Sequence, residues 1–149
     1  MGEKPLVFTI GFTKTSANRF FDRLKSAGVS KVLDVRLHNT SQLSGFAKAD
    51  DLAYFLKSIA NIDYEHVPIL APEDEMLSEF RKGKGAWSVY SEKFLRLMAS
   101  RKIEEKLLPR ALDHTCLLCS ESTPHHCHRK LVCDYLNEKW GNALSVTHL

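Results

Sequence analysis

Hydrophobic and polar residues alternate along this chain in two patterns. Short apolar runs, typical of buried β-strands, are separated by longer segments in which apolar residues recur every three or four positions, as on one face of a helix. One such segment carries Leu52, Phe55, Leu56 and Ile59 at helical spacing, and Asp50 before it is the expected N-cap. The two patterns follow one another along most of the chain.

The apolar runs predict five strands, at residues 6–12, 32–36, 64–67, 114–118 and 144–149. The helical pattern predicts helices at residues 16–27, from Asp50 onward, and at 88–100, 103–112 and 130–140, with Gly28 ending the first and Pro109 disturbing the fourth. Residues 70–87 are predicted to be irregular. Strands that alternate with helices favour one α/β domain over residues 1–149. We expect a Rossmann-like three-layer fold, in which helices cover both faces of a mostly parallel sheet of about five strands.

Composition changes this picture only by excluding some classes of protein. Hydrophobic residues make up 44% of the chain and charged residues 26%, as in ordinary globular proteins. No apolar run approaches the roughly 20 residues of a membrane-spanning helix, and the run after Pro5 is too short for a signal peptide, so we expect no membrane partner and a cytoplasmic location. The net charge of +3 falls short of the basic face that would by itself indicate nucleic-acid binding.

Residues suited to ligand binding follow the predicted strands at their carboxyl ends. They are Thr9, Gly11, Asp34, Arg36, His66, Cys119 and Glu121. Because parallel strands end on the same side of a sheet, these residues are predicted to meet around one crevice, the usual ligand site of open α/β sheets. We interpret Thr9, Gly11, Asp34, Arg36 and His66 as substrate-binding residues, with a purely structural Asp34–Arg36 ion pair as the alternative.

Residues 119–129 hold the densest group of reactive side chains, with two thiols, a carboxylate, three imidazoles and a guanidinium. Thr123 and Pro124 suit a helix cap and a first turn, so this segment is predicted to lead from a strand into a helix that begins near them. Cys127 would then lie in the first turns, where the helix dipole lowers the pKa of a thiol. Arg129, assigned to substrate binding, and the helix N-terminus would attract an anion.

This segment favours an enzyme without establishing that the protein is one. Cys127 or Cys119 would be the nucleophile, and Glu121 or His128 would move protons. Arg36, Arg129 and the helix N-terminus indicate a small phosphate-bearing or nucleotide-like substrate. A non-catalytic module that binds a ligand or nucleic acid is one alternative, and a metal-binding or redox-switch protein that uses Cys119 and Cys127 is another.

Zinc has enough potential ligands among the cysteines and histidines, but their spacing matches no usual structural zinc site, so we assign no metal ligand. Cys116 lies in an apolar strand and Cys133 in an amphipathic helix, which indicates packing positions for both. The sequence identifies neither a cofactor nor an oligomeric state.

Five short motifs carry a resemblance to a known family. They are Thr9–Ile10–Gly11; Asp34–Val35–Arg36; Tyr64, His66 and Pro68; Leu117–Leu118–Cys119–Ser120–Glu121; and Cys127–His128–Arg129. In these motifs the chain resembles the bacterial and archaeal family called domain of unknown function 488. The resemblance covers nearly the whole chain and implies a compact α/β fold with a shared site, but no settled activity. The chain departs from the family pattern at Phe12–Thr13, where the family often has His-Ser, and after Arg36, where it often has a Pro-x-Ser-Arg run.

Overall fold

Five parallel strands form one sheet between two layers of helices in the computed structural model, which describes residues 3–83, 86–121 and 127–149. The strands are β1 (Leu6–Gly11), β2 (Lys31–Asp34), β3 (Asp63–His66), β4 (Thr115–Cys119) and β5 (Ser145–His148). The helices are α1 (Ala17–Ala27), α2 (Ala49–Ala60), α3 (Asp74–Arg81), α4 (Trp87–Arg101), α5 (Ile103–Lys106) and α6 (His128–Lys139). The predicted three-layer α/β fold with a parallel sheet of five strands is confirmed.

The order of strands across the sheet is β3-β2-β4-β1-β5. β4 lies between β2 and β1, so the connection from β1 to β2 and the connection from β4 to β5 leave in opposite directions. Open parallel sheets bind ligands where connections diverge in this way, outside the carboxyl ends of the strands. Gly11 pairs with Cys119 at this edge, and Asp34 pairs with both Leu118 and His66. The register therefore brings the predicted strand ends to one edge of the sheet.

The alternation of side chains along the strands fills a core on each face of the sheet. On one face, Leu33 and Leu117 join a cluster with residues of α4, α5 and α6. On the other face, Val32 and Cys116 join a cluster with residues of α1 and α2. Successive strand residues point to opposite faces, so continuous apolar runs are buried only when helices cover both sides. Cys116 and Cys133 are buried free thiols in these cores, as predicted.

The start of α2 differs from the prediction. The helix begins at Ala49 and its N-cap is Lys48, so the cap assignment of Asp50 is wrong. Asp50 lies instead in the first turn, where a negative charge complements the helix dipole. Ile59, expected on the buried face of this helix, is 47% exposed.

Two further segments also differ. Residues 70–87 are not irregular throughout, because α3 forms within them at Asp74–Arg81. The predicted helix at residues 103–112 is divided into α5 and a 3₁₀ turn, since Pro109 cannot donate the hydrogen bond that would continue α5. Among the described residues, no helix combines the length and the apolar character needed to cross a bilayer.

Candidate functional site

A cavity of about 100 Å³ opens at the carboxyl edge of the sheet. Its lining includes the predicted site residues Arg36, Cys119, Glu121, Cys127 and His128. These residues follow β2, end or follow β4, or begin α6, so the strand order gathers residues that are far apart in the sequence. Residues of α3 and α4 line the opposite wall.

The sulfur atoms of two cysteines meet at this cavity. Cys119 is the last residue of β4 and Cys127 is the N-cap of α6; their side chains are buried, and they form a disulfide with Cα atoms 7.6 Å apart. A ring nitrogen of His128 lies within 4.8 Å of both sulfur atoms. The end of β4 and the start of α6 therefore bring together two cysteines that are eight residues apart in the sequence.

The start of α6 lies later in the chain than expected. Cys127 has extended backbone angles and caps the helix, so the prediction that it occupies the first helical turns is wrong. Thr123 and Pro124, which carried that prediction, lie outside the described residues, as do His125 and His126. An N-cap still lies at the positive end of the helix dipole, so the reason to expect a lowered pKa at this thiol persists.

Arg129 lies behind the two sulfur atoms and is completely buried. Its Nη1 donates to Sγ of Cys119 at 3.2 Å, to Sγ of Cys127 at 3.5 Å and to the backbone oxygen of Glu121 at 2.6 Å. Its Nε and Nη2 have no hydrogen-bond partner, and no carboxylate forms a salt bridge with it, within the described part of the chain. Burial lowers the pKa of Arg129 to about 10, which leaves it a cation at neutral pH.

A buried cation without a negative partner is costly, and a nearby negative charge would compensate for it. Nη1 of Arg129 lies 3.2 and 3.5 Å from the sulfur atoms of Cys119 and Cys127, and the negative charge of Glu121 also acts on the guanidinium. In their reduced form, Cys119 and Cys127 would therefore be favoured as thiolates by Arg129.

The backbone of Glu121 occupies the space beside Gly11 that a side chain would otherwise fill. A Cβ atom on Gly11 would lie 1.4 Å from the backbone oxygen of Glu121 and 3.0 Å from Nη1 of Arg129. The amides of Phe12 and Thr13 donate to the backbone oxygen of Ser120 at 3.3 and 3.0 Å. The space beside Gly11, predicted to contact a substrate, is thus filled by the segment that follows β4, and this contact holds Glu121 at the cavity.

His128 is held as a neutral imidazole. Its Nε2–H donates to the backbone oxygen of Val35 at 2.7 Å, so Nδ1 is left as a hydrogen-bond acceptor. Burial is the main cause that lowers the pKa of His128, to about 4. At neutral pH this residue can accept a proton but has none to donate from Nδ1.

The lowered pKa of His128 predicts a loss of stability in mild acid. Unfolding restores the ordinary pKa of 6.5, so the unfolded chain binds more protons than the folded one as the pH falls from 6.5 to about 4. The stabilising contribution is complete above pH 6.5, and about 3 kcal/mol is lost across that interval. Urea unfolding at several pH values should show this slope, and His128→Gln should reduce it.

The pKa of His148 is also lowered, by burial and by the charges of Arg129 and Lys130. His148 therefore contributes to the pH dependence of stability with the same sign, and we expect part of the slope to remain in His128→Gln. A pH dependence that is identical in the wild-type protein and in His128→Gln would show that folding does not lower the pKa of His128.

Asp34 and Arg36 form a buried ion pair. Nε and Nη2 of Arg36 each donate to one carboxylate oxygen of Asp34 at 2.8 Å, and the Arg36 amide donates to Oδ1 at 3.1 Å. The hydroxyl of Tyr64 donates to Oδ2 at 2.5 Å, and Nδ2 of Asn39 donates to the same oxygen at 3.3 Å. Burial acts to raise the pKa of Asp34, but the hydrogen bonds and charge of Arg36, with the Tyr64 hydroxyl, outweigh it and hold the pKa below its usual value.

This network fixes the guanidinium of Arg36 at the cavity wall. Nη2 also donates to the backbone oxygen of Ala47 at 2.8 Å, and the guanidinium lies 5.2 Å from the centre of the Phe12 ring. Nε2 of His66 donates to the backbone oxygen of Arg36 at 2.7 Å. The Nη1 group is buried and has no hydrogen-bond partner among the described residues. Asp34 and His66 thus support Arg36, which itself lines the cavity.

Thr9 serves the sheet rather than the cavity lining. It is buried within β1, and its hydroxyl forms a hydrogen bond of 2.6 Å with Nδ1 of His148 in β5. The structure therefore places the predicted residues in two groups. Arg36, Cys119, Glu121, Cys127 and His128 line the cavity, and Thr9, Gly11, Asp34, His66 and Arg129 lie behind it.

Several residues at the site were not among the predicted site residues. Tyr64 and Asn39 hydrogen-bond to Asp34, and Phe80, Trp87, Tyr90 and Arg81 line the same cavity as the cysteines. A signal for α3 was present, because acidic residues occupy its first turn and Arg81 its last, as the helix dipole favours. Nothing in the local sequence around Asn39 indicates that its side chain reaches Asp34.

A family model described as "Domain of unknown function DUF488" matches residues 16–136. The chain belongs to this DUF488 family. The matched residues include the Asp34–Arg36 pair and the segment from Cys119 to Arg129, whereas Gly11 precedes them. Neither a curated protein nor a solved structure matches the chain. The DUF488 description specifies no activity, so the chemistry has to be inferred from the site itself.

Proposed function

We propose that this protein is a cysteine-dependent enzyme that acts on a small phosphate-bearing or nucleotide-like substrate. The observation that carries the proposal is the contact of Arg129 with both Cys119 and Cys127, because a fully buried guanidinium that forms no salt bridge within the described residues favours a negative charge on the sulfur atoms it contacts. Active sites are where such charge pairs are arranged to shift a pKa. Both sulfur-bearing residues also line the cavity at the strand ends.

Cys127 is the attacking thiol in this proposal. It caps α6, so the dipole of a helix acts on its sulfur in addition to Arg129, whereas Cys119 ends a strand. Its sulfur forms a bond to an electrophilic atom of the substrate, and the leaving group departs with the electron pair of the broken bond and takes a proton from Glu121 or water. Water then displaces the sulfur and restores the thiol.

The disulfide is the oxidised form in this scheme, and it has to be reduced before Cys127 can react. Two electrons and two protons from an external dithiol convert it into the two thiols. The cytoplasm keeps thiols reduced, and we therefore retain a cytoplasmic location as part of the proposal. The remaining residues position these groups: Asp34 and His66 hold Arg36 for the anionic part of the substrate.

The first test is the rate of alkylation of each cysteine against pH. The protein is reduced, treated with a chelator and exposed to iodoacetamide, and peptide mass spectrometry follows the four cysteines separately. We expect Cys127 to titrate with a pKa well below about 8.5, and a pKa of about 6.5 would raise its thiolate fraction at pH 7 from about 3% to about three quarters. Cys116 and Cys133 serve as internal controls, because burial raises the pKa of Cys116 and raises that of Cys133 to about 12.

Arg129→Met provides the matched variant for this test, since it keeps a long side chain and removes the charge. The pKa of Cys127 should rise in this variant if the guanidinium is responsible for its acidity. The proposal fails if neither Cys127 nor Cys119 titrates below the ordinary thiol value in the reduced wild-type protein.

A soft-metal site is the second candidate, because Cys119, Cys127 and His128 offer two sulfur atoms and a nitrogen within 4.8 Å of one another. The bond from Nε2–H of His128 to the Val35 carbonyl is also the arrangement by which metal-binding histidines are oriented. Zinc that remains bound through gel filtration and protects both cysteines from alkylation would support this candidate. Unchanged alkylation rates in the presence of zinc would reject it.

A further inference from the structure

The cavity wall opposite the cysteines is aromatic. Trp87 and Tyr90 of α4 are stacked, with ring centres 5.2 Å apart and an interplanar angle of 23°. Phe80 of α3 lies 5.5 Å from Trp87 and 5.0 Å from Tyr90, again between ring centres. All three line the same cavity as Cys119 and Cys127. Clustered aromatic rings at a cavity are the surface on which a planar ring of a ligand stacks.

The same cavity holds an unused hydrogen-bond donor. Arg36 is 3% exposed, and its Nε and Nη2 are occupied by Asp34 and Ala47, yet its buried Nη1 has no partner in the part of the chain that the structure describes. Buried polar groups are nearly always satisfied, so an acceptor on a ligand is the natural partner of this donor. The exposed Arg81 adds a second cation to the lining.

The size of the cavity limits what it can enclose. Its volume of about 100 Å³ is far below the roughly 300–1,000 Å³ of pockets that enclose a drug-sized ligand. One anionic group fits inside it, so the base of a nucleotide-sized ligand has to lie against the half-buried rings of Phe80 and Trp87.

We propose that the site recognises a nucleoside monophosphate, with the base against Phe80 and Trp87, which Tyr90 supports from within, and the phosphate at the guanidinium of Arg36. This inference rests on the proposed cysteine-dependent function and names its substrate class. Stacking gives affinity for any base, because every base has a π-face. The guanidinium supplies the charge and the donor geometry that suit a phosphate oxygen.

Tryptophan fluorescence tests this inference directly. The chain has two tryptophans, and Trp140 lies away from the cavity with its Nε1 donating to the Glu104 carbonyl at 3.3 Å. In a Trp140→Phe background, Trp87 is the single reporter. Titration with AMP, GMP, CMP and UMP should quench it saturably. Ribose 5-phosphate, which lacks the base, and adenosine, which lacks the phosphate, should each bind about tenfold more weakly or worse.

Calorimetric titration of AMP into variants separates the two parts of the site. Phe80→Leu should weaken binding about tenfold by removing a ring, and Arg81→Gln should weaken it less. Arg96→Gln is the matched control, since this exposed arginine of α4 pairs with Glu92 and lies outside the cavity lining. Arg36→Lys removes the guanidinium but also disturbs Asp34, so competition between AMP and inorganic phosphate provides the independent measurement of the phosphate contact.

The same titration in a Cys119→Ser/Cys127→Ser variant distinguishes this inference from the proposed function. Unchanged AMP binding there supports the recognition site whether or not the thiols are reactive. Acidic thiols in a protein that binds none of the four nucleotides would overturn the inference and leave the cysteine proposal intact. Binding of a single-stranded oligonucleotide of about ten nucleotides, without binding of mononucleotides, would overturn it in favour of a polymer.

Discussion

Replacing Asp34 with asparagine is expected to lower the free energy of unfolding by about 3–5 kcal/mol. Asp34 is completely buried and accepts hydrogen bonds from Arg36, Tyr64 and Asn39. The NH₂ group of an asparagine would face N–H or O–H groups that need an acceptor. The guanidinium of Arg36, which is 3% exposed, would also lose its negative partner. Urea unfolding at pH 7 measures the difference.

An exposed ion pair provides the control for this substitution. Lys57 and Asp63 are 3.1 Å apart with side chains that are 63% and 65% exposed, so Asp63→Asn should change the stability by no more than about 0.5 kcal/mol. Asp34→Asn combined with Arg36→Met should recover part of the loss, because the double variant no longer buries an unpaired charge. Equal effects of Asp34→Asn and Asp63→Asn would show that the buried pair is not important for stability.

The low pKa of Asp34 gives the same pair a second signature. A carboxyl group whose pKa is lower in the folded state than in the unfolded state stabilises the protein above the unfolded value, here 3.8, and this contribution is lost as the pH falls below it. The loss attributable to Asp34 therefore begins at a lower pH than the loss attributable to His128, and the two can be separated along one pH series.

The sequence was sufficient for the sheet and for the edge that carries the site. Apolar runs such as residues 6–12 and 114–118 are short and continuous, which is typical of strands that are covered on both faces of a sheet. Once strands and helices alternate, the parallel arrangement follows, and so does the meeting of Asp34, His66 and Cys119 at the carboxyl ends. These predictions depend on periodicity and chain direction, both of which are local properties of the sequence.

The contacts that give the site its chemistry depend on tertiary packing and could not be predicted in this way. The strand β2 ends at Asp34, so Arg36 does not reach the carboxylate through the alternation of a continuing strand. Beyond the strand, the backbone amide and the guanidinium of Arg36 both bond to the Asp34 carboxylate. The contribution of Tyr64 likewise depends on β3 lying beside β2, which the sequence does not specify.

The cysteines illustrate the same limit. Their separation of eight residues left a nucleophile, a redox pair and a metal site open, because spacing alone does not show which way a side chain points. The decisive feature is Arg129, which follows Cys127 by two residues yet reaches the sulfur of Cys119 and the backbone of Glu121. A surface arginine and a completely buried one are indistinguishable in the sequence.

Gly11→Ala is expected to destabilise the protein by at least about 3 kcal/mol, and to disturb the site at the same time. The added Cβ would lie 1.4 Å from the backbone oxygen of Glu121, a distance that no side-chain rotation can relieve. Either β1 or the segment after β4 has to move. That movement would also break the 2.6 Å hydrogen bond from Nη1 of Arg129 to Glu121. The measurement is urea unfolding together with the alkylation rate of Cys127.

Gly28→Ala separates the steric effect from the ordinary cost of replacing a glycine. Gly28 ends α1 with φ of 77°, and a Cβ there meets no atom within 4 Å, so the expected cost is only about 1 kcal/mol of backbone strain. Gly11 lies in a strand and has no positive φ, so space rather than conformation is what requires glycine at this position. If the two variants lose the same stability and Cys127 keeps its alkylation rate in Gly11→Ala, then the backbone of residues 120–121 yields easily, and its contact with β1 does not hold Glu121 and Arg129 in place.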